Sequence, residues 1–421
     1  MTAQMKSIGI LSGSHLCRNP RVQKEAWALA RAGYDVEILG AWTDPVLKAE
    51  DLSLLEGSQV RFTPVLEVNQ PRLWTRMRWI LARALASYSR RWPRWVPAES
   101  AWRLGVSANA LWGAAMRRSA DLWIAHSGPG LWAARQLLEA GSRVGVDMED
   151  WFSEDLPPEA QVARASEQLA NLERVVHGRG MHSTCPSKAM SAALEIAYGR
   201  AAPGVVYNAF PWSGRRVMDS KTKDREQLRR PSIHWYSQTL GPGRGLEDLL
   251  AALPFLANDA EVHLRGQPAR GFDAWLRERI PAGWGDRLHF HRLVSNQELL
   301  SRISEHDIGF AGEIKSRRSH DLTVSNKILH YLLAGLAVVA SDTVGQLEVA
   351  SQAPEAVQIY PSGDPRRLAE VLDRLLDSPE RLKSAKAAAL SAAEGVFCWE
   401  RQEPVLLRSV ESALRSQGPL Q

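Results

Sequence analysis

The stretch Ser7–Leu39, SIGILSGSHLCRNPRVQKEAWALARAGYDVEIL, decides the fold class. SIGILS (7–12) is a short apolar run of buried-strand character, and a polar loop follows over Gly13–Pro20. Val22, Ala26, Leu29 and Ala30 then recur at helical spacing until Gly33, where the periodicity stops. DVEIL (35–39) reads as a second strand. Strand, helix and strand within about 35 residues form a βαβ unit, and such units build parallel sheets. The pattern repeats at DLWIAHS (121–127), SRVGVDME (142–149) and MHSTCPS (181–187), each separated from the next by a helical stretch. VVYNAF (205–210) closes this half.

Residues 211–230, PWSGRRVMDSKTKDREQLRR, carry no sustained apolar period and read as a connection. The alternation restarts with SIHWYSQ (232–238), a helix over 246–256, AEVHLRG, a helix near Trp275, and RLHFHRL. A helix over 295–306 leads to DIGFAG, a helix over 325–334, and LAVVASD (336–342). The expectation is α/β: two doubly wound, Rossmann-like parallel-sheet domains facing a cleft. Ligands of such sheets sit at the carboxyl ends of the strands. The predicted domains are 1–210, a linker at 211–230, and 231–398. A C-terminal helix over 399–421 is expected to cross back to the first domain.

Composition fits this picture. The chain has 421 residues, 45% hydrophobic and 24% charged, with a formal net charge of +5. Disorder, collagen-like repeats and a disulfide scaffold are excluded. Cys17, Cys185 and Cys398 are far apart with no C-x-x-C pair, which fits a reducing compartment and gives no zinc cage. The longest uncharged apolar run, Ile328–Ala340, is well below the roughly 20 residues that span a bilayer. These features predict a cytoplasmic protein.

Two segments are built to meet phosphate. GPGRG (241–245) follows a strand and opens a helix. Its glycines, Gly243 among them, let backbone N–H groups approach an anion, and Arg244 adds a bidentate donor. The alternative is a glycine-rich turn with a solvent-facing arginine. In SNK (325–327), Ser325 is a good N-cap and Lys327 lies in the first helical turn. A cation there is unfavourable beside the helix dipole unless an anion is close. Three strand-end groups of the first half, Gly13 in the loop 13–18, His126 and Glu149, would face the other domain's ligand, His126 and Glu149 being the candidate catalytic residues. Acids at strand ends are also common in any sheet.

Taken together and in order, these blocks resemble the GT4-like (group 1) retaining glycosyltransferases of the GT-B fold. The likeness rests on NPRVQKEAWALARAGYDVEIL, CPSKAMSAALEIAYG, VVYNAF, YSQTLGPGRGLEDLL, HDIGFAG and SNKILHYLLAGLAVVASDTVGQLEV. The resemblance implies a nucleotide-sugar donor, no cofactor and no metal, with Arg244 and Lys327 binding its diphosphate. It implies front-face transfer, in which the departing diphosphate takes the acceptor proton. It also places Glu348 at the sugar, and a ribose-binding glutamate where this chain has His330. The family's D-x-H-E histidine, beside the reacting sugar, is Glu149 in DMED here. Gln238 replaces the basic residue before the glycine loop, and the other carboxylate of the Glu-x7-Glu pattern would fall near Leu322 and is absent unless Asp321 replaces it.

Residues 70–120 stand apart. They carry ten arginines against one acid, Glu99, hence a local charge of +9, and six of the 16 tryptophans. Leu73, Met77, Ile80 and Ala84 share a helical face. Trp74, Leu81, Leu85 and Tyr88 widen it, Arg72, Arg76, Arg83 and Arg90 lie on another, and Trp79 is expected on the same membrane or acceptor side. Such a helix suits an anionic membrane surface on the inner face, from which a lipid-linked acceptor could be collected. The alternatives are packing of that face on the domain's own core, and nucleic-acid binding, for which no fold signature exists. The functional expectation is transfer of a sugar to a glycan or lipid-linked acceptor in polysaccharide or cell-envelope synthesis. Its rivals are a non-catalytic scaffold on the same fold, or another nucleotide-sugar enzyme such as an epimerase.

Overall fold

The computed structural model describes residues 5–68, 73–92, 95–97, 99–155, 166–225 and 230–416, without the side chains of 73–76, 78 and 90. The chain divides into two compact units. The first runs to Pro186, with Met190–Val206 and the chain from Glu403 onward; the second comprises Ser187–Ala189 and Tyr207–Gln402.

The first unit is built on β1 (Ser7–Leu11), β2 (Asp35–Trp42), β3 (Arg61–Glu67), β4 (Leu122–Ala125), β5 (Val144–Asp147), β6 (His182–Cys185) and β7 (Gly204–Val205). All pair in parallel, in the order β3-β2-β1-β4-β5-β6-β7. Parallel pairing forces a crossover between successive strands, and the crossovers cover both faces of the sheet. The central strands are therefore apolar on both sides: Ile8, Ile10, Leu11, Ile38, Leu39, Ile124, Val144 and Val146 are all buried.

The second unit repeats the design with β8 (Ser232–Leu240), β9 (Glu261–Pro268), β10 (Leu288–His291), β11 (Ile308–Ala311), β12 (Ala337–Ser341) and β13 (Val357–Tyr360). These are also parallel, ordered β10-β9-β8-β11-β12-β13. Its core runs from Ile233, Trp235 and Leu264 to Phe310, Val339 and Leu372.

Several local expectations are revised. The edge strand β3 and the helix Pro45–Leu55 escaped the sequence reading. β3 contains Pro64, which cannot donate to a ladder and is tolerated because only β2 pairs with it. Only Gly204–Val205 of the region around VVYNAF is a strand. The helix expected to reach Leu256 ends at Ala252 and continues as a 3-10 turn over Leu253–Phe255. Pro254 removes a helical N–H there.

The basic segment does form a helix, Leu73–Arg91. Its buried side is the small-residue one, Ala82, Ala86 and Ser89. Met77 and Ile80, 59% and 64% exposed, point to solvent with Leu81 and Tyr88, so packing of that face on the domain's core is overturned. Arg83 is exposed and Trp79 half-buried. Arg72 lies outside the described residues, as do the side chains of Trp74 and Arg76.

Histidines crowd one face of the second sheet at the strand starts. His234, His263 and His306 are fully buried, and the His263 ring lies 4.6 Å from those of His289 and His306. Burial, aided by the neighbouring His306, pushes His263 down to about 2; the same causes put His234 well below the ordinary range. Above the unfolded-state value near 6.5 both states are neutral. Below it the unfolded chain binds protons that the folded one refuses, so stability falls by about 1.4 kcal/mol per pH unit for each of these two groups. We expect amides of β8 and β9 to lose hydrogen-exchange protection, corrected for intrinsic rate, between pH 6.5 and 5. Protection independent of pH over that range would contradict this account of the cluster.

Candidate functional site

In both sheets the strand order reverses once, between β1 and β4 and between β8 and β11. Connections leave such a pair in opposite directions, which opens a crevice at the carboxyl ends.

In the second unit, Gly241–Gly245 follows β8 and Gly312-Glu313 follows β11. Gly245 has φ +80°, and a Cβ on it would lie 2.5 Å from the Gly312 carbonyl oxygen. Only glycine lets the two loops touch. Glu313 accepts from Lys327 Nζ at 2.6 Å and from Ser325 Oγ at 3.2 Å. Ser325 caps the helix Asn326–Ala334 by accepting from the Lys327 amide at 3.2 Å. Lys327 is only 8% exposed, and its ammonium lies 5.4 Å from the Trp235 ring centre. The indole N–H of Trp235 in turn donates to the Arg244 carbonyl at 3.2 Å, which ties the lysine to the glycine loop. The Arg244 guanidinium is exposed and donates to Ser237 Oγ at 3.0 Å. Gly243, with φ +74°, donates its amide to Glu247 at 2.8 Å.

The local conflict noted for Lys327, a cation in a helix's first turn, is thus answered by Glu313, which the sequence reading did not single out. Nothing in GEIKS marks that glutamate, because its partner lies across the fold. His330 accepts from or donates to the Tyr236 hydroxyl at 2.5 Å and stacks on Phe210 with ring centres 3.4 Å apart. Glu348 accepts from the Lys188 and Ala189 amides, both at 3.0 Å, and from the Tyr207 hydroxyl. Both of its oxygens are therefore engaged in holding backbone in this arrangement.

In the first unit, His126 follows β4 and is fully buried between two carboxylates. Its Nδ1 lies 2.5 Å from Glu149 and its Nε2 2.5 Å from Glu25. Asn19, the cap of the helix Pro20–Arg31, donates to the same Glu149 oxygen at 2.6 Å. Two residues on, Arg21 donates from Nε to both Asp147 oxygens, at 2.9 and 2.7 Å, and from NH1 to the Val206 carbonyl at 2.7 Å. Arg21 and Glu25 share a face because they are four residues apart. One helix therefore braces the ends of β4 and β5. Gly13, at φ +69°, turns the chain after β1 where a Cβ would meet Leu111 and Ser107.

His126 was expected to be catalytic, yet both ring nitrogens are taken and its side chain is enclosed. Its neighbour Glu149 keeps 18% side-chain exposure. Burial opposes the charged imidazolium, but the charges of Glu25 and Glu149 overcome it and hold His126 well above its ordinary range. Removing one partner of such a buried set costs about 3–5 kcal/mol. Because the folded value is raised, this stabilisation is complete below pH 6.5 and is lost as pH climbs through the folded-state value. His126→Gln is therefore expected to lower the urea midpoint most at pH 6.5 and less at pH 9; an equal deficit at both would refute the charged assignment.

Among the described residues, three groups of His, Cys, Asp and Glu are close enough to hold an ion: His15/Cys17/Asp51, Glu25/His126/Asp147 and Glu261/His263/His289. In the first, His15 donates through Nδ1 to Asp51 at 3.0 Å. Its Nε2 accepts from the Thr43 and Asp44 amides at 2.8 and 3.1 Å, which leaves no lone pair for a metal.

Residues 231–378 match the family described as glycosyl transferases group 1. Among curated proteins, none matches the chain significantly. HepE of Anabaena, solved with UDP and glucose, superposes with a TM-score of 0.70 at 17% identity, covering 97% of this chain and 100% of that one. Sucrose-phosphate synthase of Thermosynechococcus elongatus gives 0.67 at 15% identity, over 96% and 98%. The UDP-forming trehalose-phosphate synthase of Burkholderia xenovorans gives 0.67 at 14%, over 98% and 100%. With its two parallel α/β units and a matched second unit, the chain is a glycosyltransferase of the GT-B fold that carries a group 1 glycosyltransferase domain.

Proposed function

We propose that the protein transfers a sugar from a nucleotide-sugar donor to a glycan or lipid-linked acceptor, with retention of configuration, in polysaccharide or cell-envelope synthesis. The observation that carries this is the Lys327 ammonium, nearly buried beside the glycine loop and held there by Glu313. A pre-positioned cation next to a loop of free-turning glycines is suited to a diphosphate.

The bond from the sugar's anomeric carbon to the diphosphate oxygen breaks as the acceptor oxygen bonds to the same face. The acceptor proton passes to the leaving diphosphate. Arg244 and Lys327 stabilise the negative charge that grows there, which is the largest electrostatic demand of the step. Gly243 and Ser325 shape the phosphate contact. His330, on its Phe210 stack, and Glu348 border the nucleotide and sugar. Glu149 is the group offered to the reacting partners there, and His126 is its positioning residue. No metal is required by this scheme, since two cations serve the diphosphate.

The helix Leu73–Arg91 supports attachment to an anionic membrane from the cytoplasmic side. Its outward apolar residues Met77, Ile80, Leu81 and Tyr88, followed by exposed Trp92 and Trp95, lie beside exposed Arg83. Among the described residues no helix is long and apolar enough to cross a membrane.

Titration calorimetry with UDP-, GDP- and ADP-sugars tests the donor site. Arg244→Ala and Lys327→Ala should each weaken binding roughly ten- to a hundredfold, the worth of one charge-assisted contact. A native protein that binds none of the panel sinks the assignment. For the membrane, sedimentation with phosphatidylserine vesicles should fall with added salt and fall again in the Ile80→Asp/Leu81→Asp variant. Equal sedimentation of variant and native protein would refute it.

A further inference from the structure

The two histidines and one glutamate that meet at the start of β9 and β10 do not belong to the donor site, which lies at the opposite, carboxyl ends of these strands. Glu261 and His263 are two residues apart in β9 and so share a face. His289 of β10 stands directly beside His263 in the parallel register. We propose that Glu261, His263 and His289 form a zinc site that pins the edge strand β10 to the sheet.

Three observations support it. The first is spacing: all three ligand atoms lie within 4.8 Å of one another, and His263 Nε2 is 3.3 Å from Glu261 Oε1. Ligands about 2.0–2.1 Å from zinc stand roughly 3.3 Å apart at the tetrahedral angle. The second is an unmet need. His263 Nε2 and His289 Nε2 are both buried atoms without a hydrogen-bond partner, and the His263 side chain is fully buried. Buried polar atoms are rarely left so.

The third is the support behind the ligand. His263 Nδ1 is 2.9 Å from His291 Nε2, and His291 Nδ1 is 3.4 Å from Asp224. With a proton on each Nδ1, the chain runs from His263 through His291 to the carboxylate and turns the His263 Nε2 lone pair toward the glutamate. Metal-binding histidines are held in this way. Arg225 also touches Glu261, through Nε at 3.3 Å to Oε1. Its terminal nitrogens are anchored on the Glu305 and Arg230 carbonyls and on Asp307, which leaves Glu261 Oε2 toward His289, 4.0 Å away. His289 is 27% exposed, so an ion has a way in and a water can complete the shell. Two imidazoles and a carboxylate suit zinc among the common divalent ions.

The full chain, stripped with a chelator and dialysed, is titrated with cobalt(II) and then zinc chloride. We expect one cobalt per chain at this site, with the intense visible bands of a tetrahedral ion, displaced by zinc. The site should vanish in His289→Gln, weaken about ten- to a hundredfold in His291→Gln, and persist in His126→Gln, which disables the other candidate cluster. Zinc should raise the melting temperature of the native protein and not of His289→Gln. X-ray absorption of the zinc-loaded native protein supplies a readout that needs no variant: two imidazoles and oxygen are expected. No stoichiometric zinc, undiminished binding by a folded His289→Gln, or a shell without imidazole would each overturn the site.

Discussion

A wholly parallel sheet can be wound outward from its centre in two directions, and the place where the direction changes is the one gap its crossovers cannot fill. Both units of this protein have that reversal, at β1/β4 and at β8/β11. Several of the candidate groups follow from it. The glycine loop and Glu313 leave the two strands on either side of the second reversal, while His126 and the Gly13 turn do the same at the first. The rest of each sheet, sealed by helices on both faces, serves to hold those strand ends still.

What is held there is charge, and in both units the same device holds it. A cation is placed where burial alone would reject it, and a carboxylate from a distant part of the chain makes it tolerable. Glu313 does this for Lys327 at 2.6 Å, and Glu25 and Glu149 do it for His126 at 2.5 Å. Such pairs add little net stability, because desolvation offsets most of the attraction. Their effect is positional. Lys327 is kept at the glycine loop in advance of any anion, and the Glu149 carboxylate is kept at the end of β5.

The histidine-rich start of the second sheet obeys a different rule. There the imidazoles are packed in register across β8, β9 and β10 and are held neutral by burial. Neutral nitrogens with nothing to bond are a deficit in a folded protein, and they lie at the end of the sheet away from the glycine loop. The two ends of one sheet thus present opposite chemistries, cations at one and lone pairs at the other.

Much of the architecture was legible before any coordinates. Apolar runs separated by helical periods required parallel sheets, because strands joined by helices cannot pair otherwise. GPGRG and SNK announced themselves through local chemistry, a turn only glycine makes and a cation at the wrong end of a helix. Local sequence could not disclose partners that are far apart in the chain. Glu313 meets Lys327, Glu25 meets His126 across 101 residues, and His263 meets His289 only through strand register. Nor could periodicity say which face of the helix Leu73–Arg91 turns inward; alanines, not the larger apolar residues, pack there because only they let the helix approach closely. The sequence by itself determined the order of elements and the residues able to meet phosphate, since propensity and turn chemistry act between neighbours. The tertiary structure decided which of those charges are buried, paired or left open, since burial and pairing depend on what the fold brings from elsewhere.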